Sequence, residues 1–446
     1  MNGEEYPGAR RFSRRDFLKA GGVGLAGAAL LGTSACGGGG SQGSGGPVTL
    51  TYWSWVPDLD KEVKLFEKAH SNIKVKLVNA GQGAAEYTKL RNAVKAGSGA
   101  PDVVQIEFQY IPTFKQINAL ADISQYGANK LKNDYVSWAW EQVSDGSKVY
   151  AIPQDSGPMG LLYRKDIFDK YGLTVPETWD DFEKQASKLS GTTSSVSLTD
   201  FAINDAAWFT GLLWQAGAQL FRVNGDSVSV NINDPAAMKV ASYWQGLLDK
   251  KLVGTAPDFT NDWYSALDKG KYATWVTAAW GPVFLSGIAK ESKGKWRAAP
   301  LPKWSSSDKV TANWGGSTNA VTTQSKNPKE AAALAMWINN NPKSVKMLAD
   351  KSFLFPTDKS LLNSKSFKSQ SYPFYGGQEV NQIFIQSSER VNTGFQWSPF
   401  QDYFFTQMNN KLGDASKGKT ELPRAMNDLQ SAVVKYAKSQ GFKVKA

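Results

Sequence analysis

VTLTYWSWVPDLDKEVKLFEKAHSNIKVKLVNAGQGAAEYTKLRNAVKAGSGAPDVVQIE, residues 48–107, alternates between strand and helix periodicities. Val48–Trp55 is rich in β-branched and aromatic residues and reads as an opening strand. From Asp58 the spacing predicts a helix with Val63 and Phe66 on one face. His70 falls near its C-terminal end, where a histidine is favourably placed against the helix dipole. Ile73–Val78 alternates strictly, as a half-buried strand does. A helix over residues 84–96, a glycine-rich turn and a buried strand ending at Glu107 complete the stretch. The β-α-β-α-β order implies a parallel sheet with helices on both faces. Ligands of such sheets bind at the carboxyl ends of the strands. Trp53, Ser54 and Trp55 stand at one such end, and Glu107, Phe108 and Gln109 at another.

A second α/β region starts near Gly157, with a strand over residues 160–166. Thr178 reads as the N-cap of a helix, with Asp181 as the acid of a capping box. Trp179, Phe182, Ala186 and Leu189 then follow at core-facing spacings. Asp234-Pro235, Asn327-Pro328 and Leu422-Pro423 open further helices, with proline in the first turn. Trp179, Trp244 and Trp337 lie on apolar stripes and read as core. Trp138 and Trp140 fall in a short aromatic helix that suits either core or cleft.

Composition narrows the function classes. The 446 residues are 41% hydrophobic and 20% charged, enough for two or three globular domains. One cysteine and one histidine exclude a disulfide framework and a Cys/His zinc site, and no metal or cofactor is expected. The net charge of +11 comes without an arginine cluster or a basic helix, so nucleic acid is not an expected partner. The sixteen tryptophans are the feature that composition leaves unexplained.

Residues 1–35 read as an address. SRRDFLK (Ser13–Lys19) resembles the twin-arginine export signal, and an Ala/Gly/Leu stretch follows to Ala35. That stretch falls short of the roughly 20 apolar residues a spanning helix needs. TSAC (Thr33–Cys36) resembles a lipoprotein processing site, with Cys36 the residue to be lipidated. Residues 36–47 form a Gly/Ser-rich tether; a flexible coil of that length spans roughly 17–20 Å. Removing residues 1–35 takes away five Lys/Arg and three Asp/Glu and lowers the net charge to +9. The expectation is an exported protein anchored to the outer face of the cytoplasmic membrane, at the cell surface or in the periplasm.

Seven segments occur in order: PDVVQIE (Pro101–Glu107), YAIPQ (Tyr150–Gln154), LLYRKDIFDKYGLTVPETWDDF (Leu161–Phe182), AAWGP (Ala278–Pro282), NWGGS (Asn313–Ser317), SKNPKEAA (Ser325–Ala332) and FPT (Phe355–Thr357). Together they resemble the family 1 extracellular solute-binding proteins of carbohydrate ABC transporters, the maltose-binding-protein-like group. The resemblance implies a two-lobed periplasmic-binding-protein type II fold, each lobe a mostly parallel sheet flanked by helices, joined by a hinge. Lobe 1 would take residues 48–154 and 299–352, and lobe 2 residues 155–298 and 353–446. Ile152-Pro153 and Ala299-Pro300-Leu301-Pro302 are stiff, extended stretches suited to the crossings. The implied protein is a monomeric receptor, not an enzyme. It captures a sugar, a di- or oligosaccharide, in the interlobe cleft and delivers it to a membrane permease.

A buried pyranose needs aromatic planes for its C–H face and paired polar groups for its hydroxyl rim. Trp53 and Trp55 follow a strand. Trp208 follows Asn204 and Asp205 at a strand end. Trp280 and Trp314 stand beside glycines that let a ligand approach the backbone, Gly315 and Gly316 among them. Trp397 lies where the family places a stacking aromatic. Glu107, Gln109, Asn204, Asp205 and Ser317 are the polar candidates. A solvated strand-end carboxylate and an N-cap are the structural alternatives for Glu107 and Asp205. Ala206-Ala207 depart from the maltose-binding pattern, so the ligand need not be maltose. The competing readings are a surface carbohydrate-active enzyme, with Glu107 and Asp205 as its two carboxylates, and a receptor for a non-sugar solute.

Overall fold

The computed structural model describes residues 47–225, 227–352 and 354–445. The export signal, Cys36 and the tether up to Gly46 lie outside the described residues. The opening stretch folds as its periodicity predicts. Val48–Trp53 pairs in parallel with Ile73–Val78 and with Val103–Glu107. Helix Asp60–Ala69 buries Val63 and Phe66, and helix Ala84–Ala96 buries Tyr87 and Leu90. His70 caps the first helix, its ring stacked 4.3 Å from that of Phe66.

Two later segments complete this sheet. Ser317–Val321 pairs antiparallel with Val103–Glu107 on one side and with Ala151–Pro153 on the other. The five-stranded order is therefore residues 73–78, 48–53, 103–107, 317–321, 151–153. The strand at residues 103–107 is central, and Val103, Val104 and Ile106 are fully buried. Asp102 ties it in: its carboxylate accepts from the Thr51 N–H at 2.8 Å and from the Ser325 hydroxyl at 2.6 Å.

The second sheet corrects the expectation of mostly parallel strands. Met159–Arg164 is its centre, and both Thr274–Ala278 and Trp296–Pro300 pair with it antiparallel. The reason lies in the connection. The central strand leaves the first sheet through residues 154–158, while its two neighbours run back toward that crossing. Ala278 consequently pairs with Met159, and Pro300 with Gly160. Ala299 and Pro300 thus belong to the second sheet, although the sequence placed them in lobe 1. A small third sheet joins Phe221–Asn224, Ser227–Val230 and Lys443–Lys445.

Helix starts follow their capping chemistry. Thr178 accepts from the Asp181 N–H and Asp234 from the Ala237 N–H, each followed by the expected buried stripe. Trp138 and Trp140 are both buried in helix Ser137–Val143.

Candidate functional site

The two sheets present their crossing ends to one region. Glu107 ends its strand opposite Ser317, and Trp280 follows the strand end at Ala278. A buried polar chain fixes the junction. The Ser54 hydroxyl donates to Gln105 Oε1 at 2.7 Å, and Gln105 Nε2 donates to Ser317 Oγ at 2.8 Å. The Ser317 hydroxyl and its N–H both donate to Asp155 Oδ1. Burial pushes the Asp155 carboxyl up, and the Ser317 bonds pull it back down. Ser317 therefore spends its hydroxyl on holding the crossing in place.

Glycine permits the next contact. Trp314 N–H donates to the Gly157 carbonyl at 2.7 Å, and Gly157 N–H to Asn313 Oδ1 at 2.7 Å. A Cβ on Gly157 would lie 1.9 Å from the Trp314 carbonyl oxygen, so no side chain fits there. Gly316 has φ of +87°, and its Cβ would meet the Asp155 carbonyl at 2.7 Å.

This backbone sets an aromatic platform. Trp280 Nε1 donates to the Trp314 carbonyl at 3.0 Å, and the two rings meet edge-on at 4.6 Å. Phe284 and Phe259 pack beside Trp280, at 6.2 Å each. Offset and edge-to-face clusters of this kind stabilise beyond their buried area.

Carboxyl groups flank the platform. Tyr87 OH donates to Glu107 Oε2 at 3.0 Å, and Glu107 N–H donates back to the Tyr87 oxygen at 3.0 Å. Burial, together with the charges of Asp155 and Asp205, pushes Glu107 up to about 7; bonds from Tyr87 and Gln109 oppose that rise. Asp205 caps helix Ala206–Gln215 by accepting from Trp208 N–H at 2.8 Å. Burial pushes it up to about 6, opposed by bonds from the helix N–H groups and the Trp314 indole. Asp205 is thus both an N-cap and a neighbour of the platform. Neither Glu107, Asp155 nor Asp205 joins an ion pair among the described residues.

Other candidates lie elsewhere. Trp208 is buried inside its lobe, its Nε1 donating to the Val276 carbonyl at 3.1 Å and its ring 5.1 Å from Trp244. This corrects its placement on a ligand-facing strand end: it sits in the third position of a helix whose residues are nearly all buried. Asn204 is exposed, and both ends of its amide are taken by the Asp258 backbone. Trp53 and Trp55 are half-buried at the end of the first strand. Trp397 packs edge-on to Trp214 at 5.8 Å and lines a cavity of about 350 Å³ with Ile111, Lys115, Gln142, Val223 and Gln396. Lys115 in that cavity is paired with Asp145 at 3.1 Å and lies over the Tyr150 ring.

The sequence reading missed Asp155, Phe259 and Glu86. Glu86 is fully buried beside Glu107, and burial reinforced by that charge pushes it up to about 9. Its position in the first turn of a helix looks unremarkable in sequence, since acids are common there.

The profile of the bacterial extracellular solute-binding proteins matches residues 52–343. The chain is 23% identical over 411 residues to an arabinooligosaccharide-binding protein of Bacillus subtilis (strain 168), covering 89% of this chain and 94% of that one. An ABC transporter associated binding protein from B. animalis subsp. lactis Bl-04, solved in complex with beta-1,6-galactobiose, superposes with a TM-score of 0.77 at 32% identity, over 90% of this chain and 100% of that one. The galacto-N-biose-/lacto-N-biose I-binding protein of an ABC transporter from Bifidobacterium longum, in complex with lacto-N-biose, gives a TM-score of 0.79 at 28% identity over the same shares. These structures share the two-lobed α/β architecture.

Proposed function

This chain belongs to the bacterial extracellular solute-binding protein family, and on that premise we propose that it captures a di- or oligosaccharide between its lobes and hands it to an ABC transporter permease. One observation carries the reading. The crossing ends of both sheets bring the Trp280–Trp314 platform beside Glu107 from one sheet and Asp205 from the other half of the chain. Flat rings suit the C–H face of a sugar, and the carboxyl groups suit its hydroxyls. The site set proposed is Trp280, Trp314, Glu107, Gln109 and Asp205, with Trp53, Trp55 and Trp397 as outer contacts. Gly315, Gly316 and Ser317 shape the backbone around it. The named relatives and solved neighbours are oligosaccharide and disaccharide binders, which supports the same class of ligand.

Charge narrows the ligand further. Three carboxyl groups with no ion-pair partner among the described residues offer an anionic sugar no counter-charge and suit a neutral one. The lobes are proposed as residues 48–154 with the segment resuming after the 301–316 crossing, and 155–300 with the C-terminal segment. Lipidation at Cys36 would tether a monomer to the membrane it serves.

Tryptophan fluorescence titrated with beta-1,6-galactobiose, lactose, arabinooligosaccharides and a uronic-acid disaccharide tests the proposal. A saturable shift with a neutral sugar, weak or absent with the uronate, and the sugar recovered intact is the expected result. A cleaved product that disappears in Glu107→Gln would favour the glycosidase reading. Silence toward every sugar from folded protein would sink the sugar reading altogether.

A further inference from the structure

Two buried carboxyl groups beside the site have no role in the constellation above. Asp200 and Asp258 are 8% and 5% exposed. Asp200 lies on an extended segment bridged to Gly254, and its Oδ1 accepts from the Ala256 N–H at 3.2 Å. The Asp258 backbone is clamped by the Asn204 amide, donating to Oδ1 at 2.8 Å and accepting from Nδ2 at 3.2 Å. Two oxygens are left over. Asp200 Oδ2 and Asp258 Oδ1 are buried, and neither has a hydrogen-bond partner among the described residues. Yet the bridge to Gly254 and the bond from Ala256 N–H set Asp200 against the segment that carries Asp258, and each carboxyl acts on the other. Two bare carboxylates so placed would repel, whereas one proton between them turns both orphan oxygens into a donor and an acceptor.

What depends on this contact comes next in the chain. Phe259 follows Asp258 directly. Its φ of +60° is the left-handed region, unfavourable for a bulky side chain, so the segment must be held there. Its ring is 37% exposed and stands 6.2 Å from Trp280, 6.3 Å from Trp314 and 5.6 Å from Phe284. The groups facing the pair are the Tyr272 hydroxyl and Trp263 indole toward Asp200, and the Asp205 carboxyl toward Asp258. No lysine or arginine figures among them.

We propose that Asp200 and Asp258 share a single proton, and that this proton holds residues 254–260 so that Phe259 closes over the Trp280–Trp314 platform. Both are positioning residues. The consequence for sugar affinity rests on the proposed function; the pair itself does not. Burial and the neighbouring negative charge raise both carboxyls above the ordinary range of about 4. On the proposal, one proton stays with the pair at neutral pH. As pH rises through the second ionisation, that proton passes to water, the two charges repel, and Phe259 leaves the platform.

The test needs no sugar. Protein carrying ¹³C at its aspartate carboxyl carbons is titrated from pH 5 to 9.5, with Asp200→Asn and Asp258→Asn assigning the resonances. Acrylamide quenching of tryptophan fluorescence is read on the same samples. The two carboxyls should titrate as a coupled pair displaced upward. Quenching should rise about 1.5-fold through the alkaline step, and stay level in Asp258→Asn, whose amide donates to Asp200 without a proton to lose. Phe259→Ala should quench strongly at every pH, and it keeps the test open if the Asn variants fold poorly. Both carboxyls titrating near pH 4, or quenching independent of pH in the unaltered protein, would overturn the proposal. So would an Asp258→Asn variant that follows the unaltered protein. A galactobiose titration run alongside separates the two failures: no sugar binding beside an intact alkaline step counts against the receptor's ligand, not against the pair.

Discussion

At the residue scale, the proposed site holds acids kept out of water with no ion pair among the described residues, and Glu107 shows what that does. Its folded pKa of about 7 lies above the roughly 4.3 of an unfolded glutamate. The neutral form is therefore favoured by folding. The stability it contributes is complete below about pH 4.3 and is lost as pH rises through about 7. Glu107→Gln keeps an oxygen for the Tyr87 hydroxyl but has no proton to lose. The variant should thus gain on the unaltered protein by on the order of 2 kcal/mol between pH 4.5 and 8. Denaturant midpoints across that range check it. A stability difference that does not change with pH would show that Glu107 is as well solvated as any surface glutamate.

At the element scale, two helix caps with the same local chemistry have different consequences. Thr178 accepts from Asp181 N–H and starts the helix Trp179–Ser190, whose buried stripe packs into its own lobe. Asp205 accepts from Trp208 N–H but also meets the Trp314 indole. Replacing either by alanine should cost about 1 kcal/mol in denaturant unfolding. Only Asp205→Ala should also abolish the fluorescence response to sugar, with Thr178→Ala keeping its affinity within twofold. Equal loss of affinity in both would mean that binding simply tracks stability. The caps also show what a sequence displays. Thr178 and Asp234 were legible because a cap is a local bond written within four residues; Asn327-Pro328 also opens its helix, with no bond from the Asn327 side chain. Strand direction was not, since residues 159–164 have the same apolar pattern in either orientation and only the crossing at 154–158 decides it. Trp208 misled for a related reason: AAWFTGLLWQ is apolar on all sides, so no stripe marks it as helix. Of the proposed site, the glycine-flanked Trp280 and Trp314 and the strand-end Glu107 are the members that local context suggests. Phe259 could not, because its place depends on a left-handed turn and a carboxyl pair far apart in sequence.

At the scale of the whole molecule, polar contacts among the described residues join the helices beside the five-stranded sheet to the C-terminal segment, and under the proposed reading their weakness lets a ligand control the arrangement. Arg91, on the helix Ala84–Ala96 beside the five-stranded sheet, meets Asp402 on the helix Gln401–Ser416 at 2.7 Å. Gln142 Nε2 donates to the Phe395 carbonyl at 2.8 Å, and Gly394 N–H to Glu141 Oε2 at 3.1 Å. The ion-pair side chains are 31% and 40% exposed, so the pair contributes no more than about 1 kcal/mol. A difference of that size shifts an open–closed equilibrium by about fivefold, which a ligand bound across both halves readily exceeds. Arg91→Met removes the charge and keeps the aliphatic stem that lies near the Phe114 ring. In 20 mM salt the variant should therefore weaken sugar binding by about two- to fivefold. Its ligand-free radius of gyration in small-angle scattering should rise, while the sugar-bound radius stays that of the unaltered protein. About 1 M salt, with a screening length near 3 Å, should erase most of the difference. Asp402→Asn should behave alike, and the double variant should be no worse than either single one, because both remove the same contact. Additive effects of the two substitutions would place each side chain in separate interactions and leave closure to the backbone contacts alone.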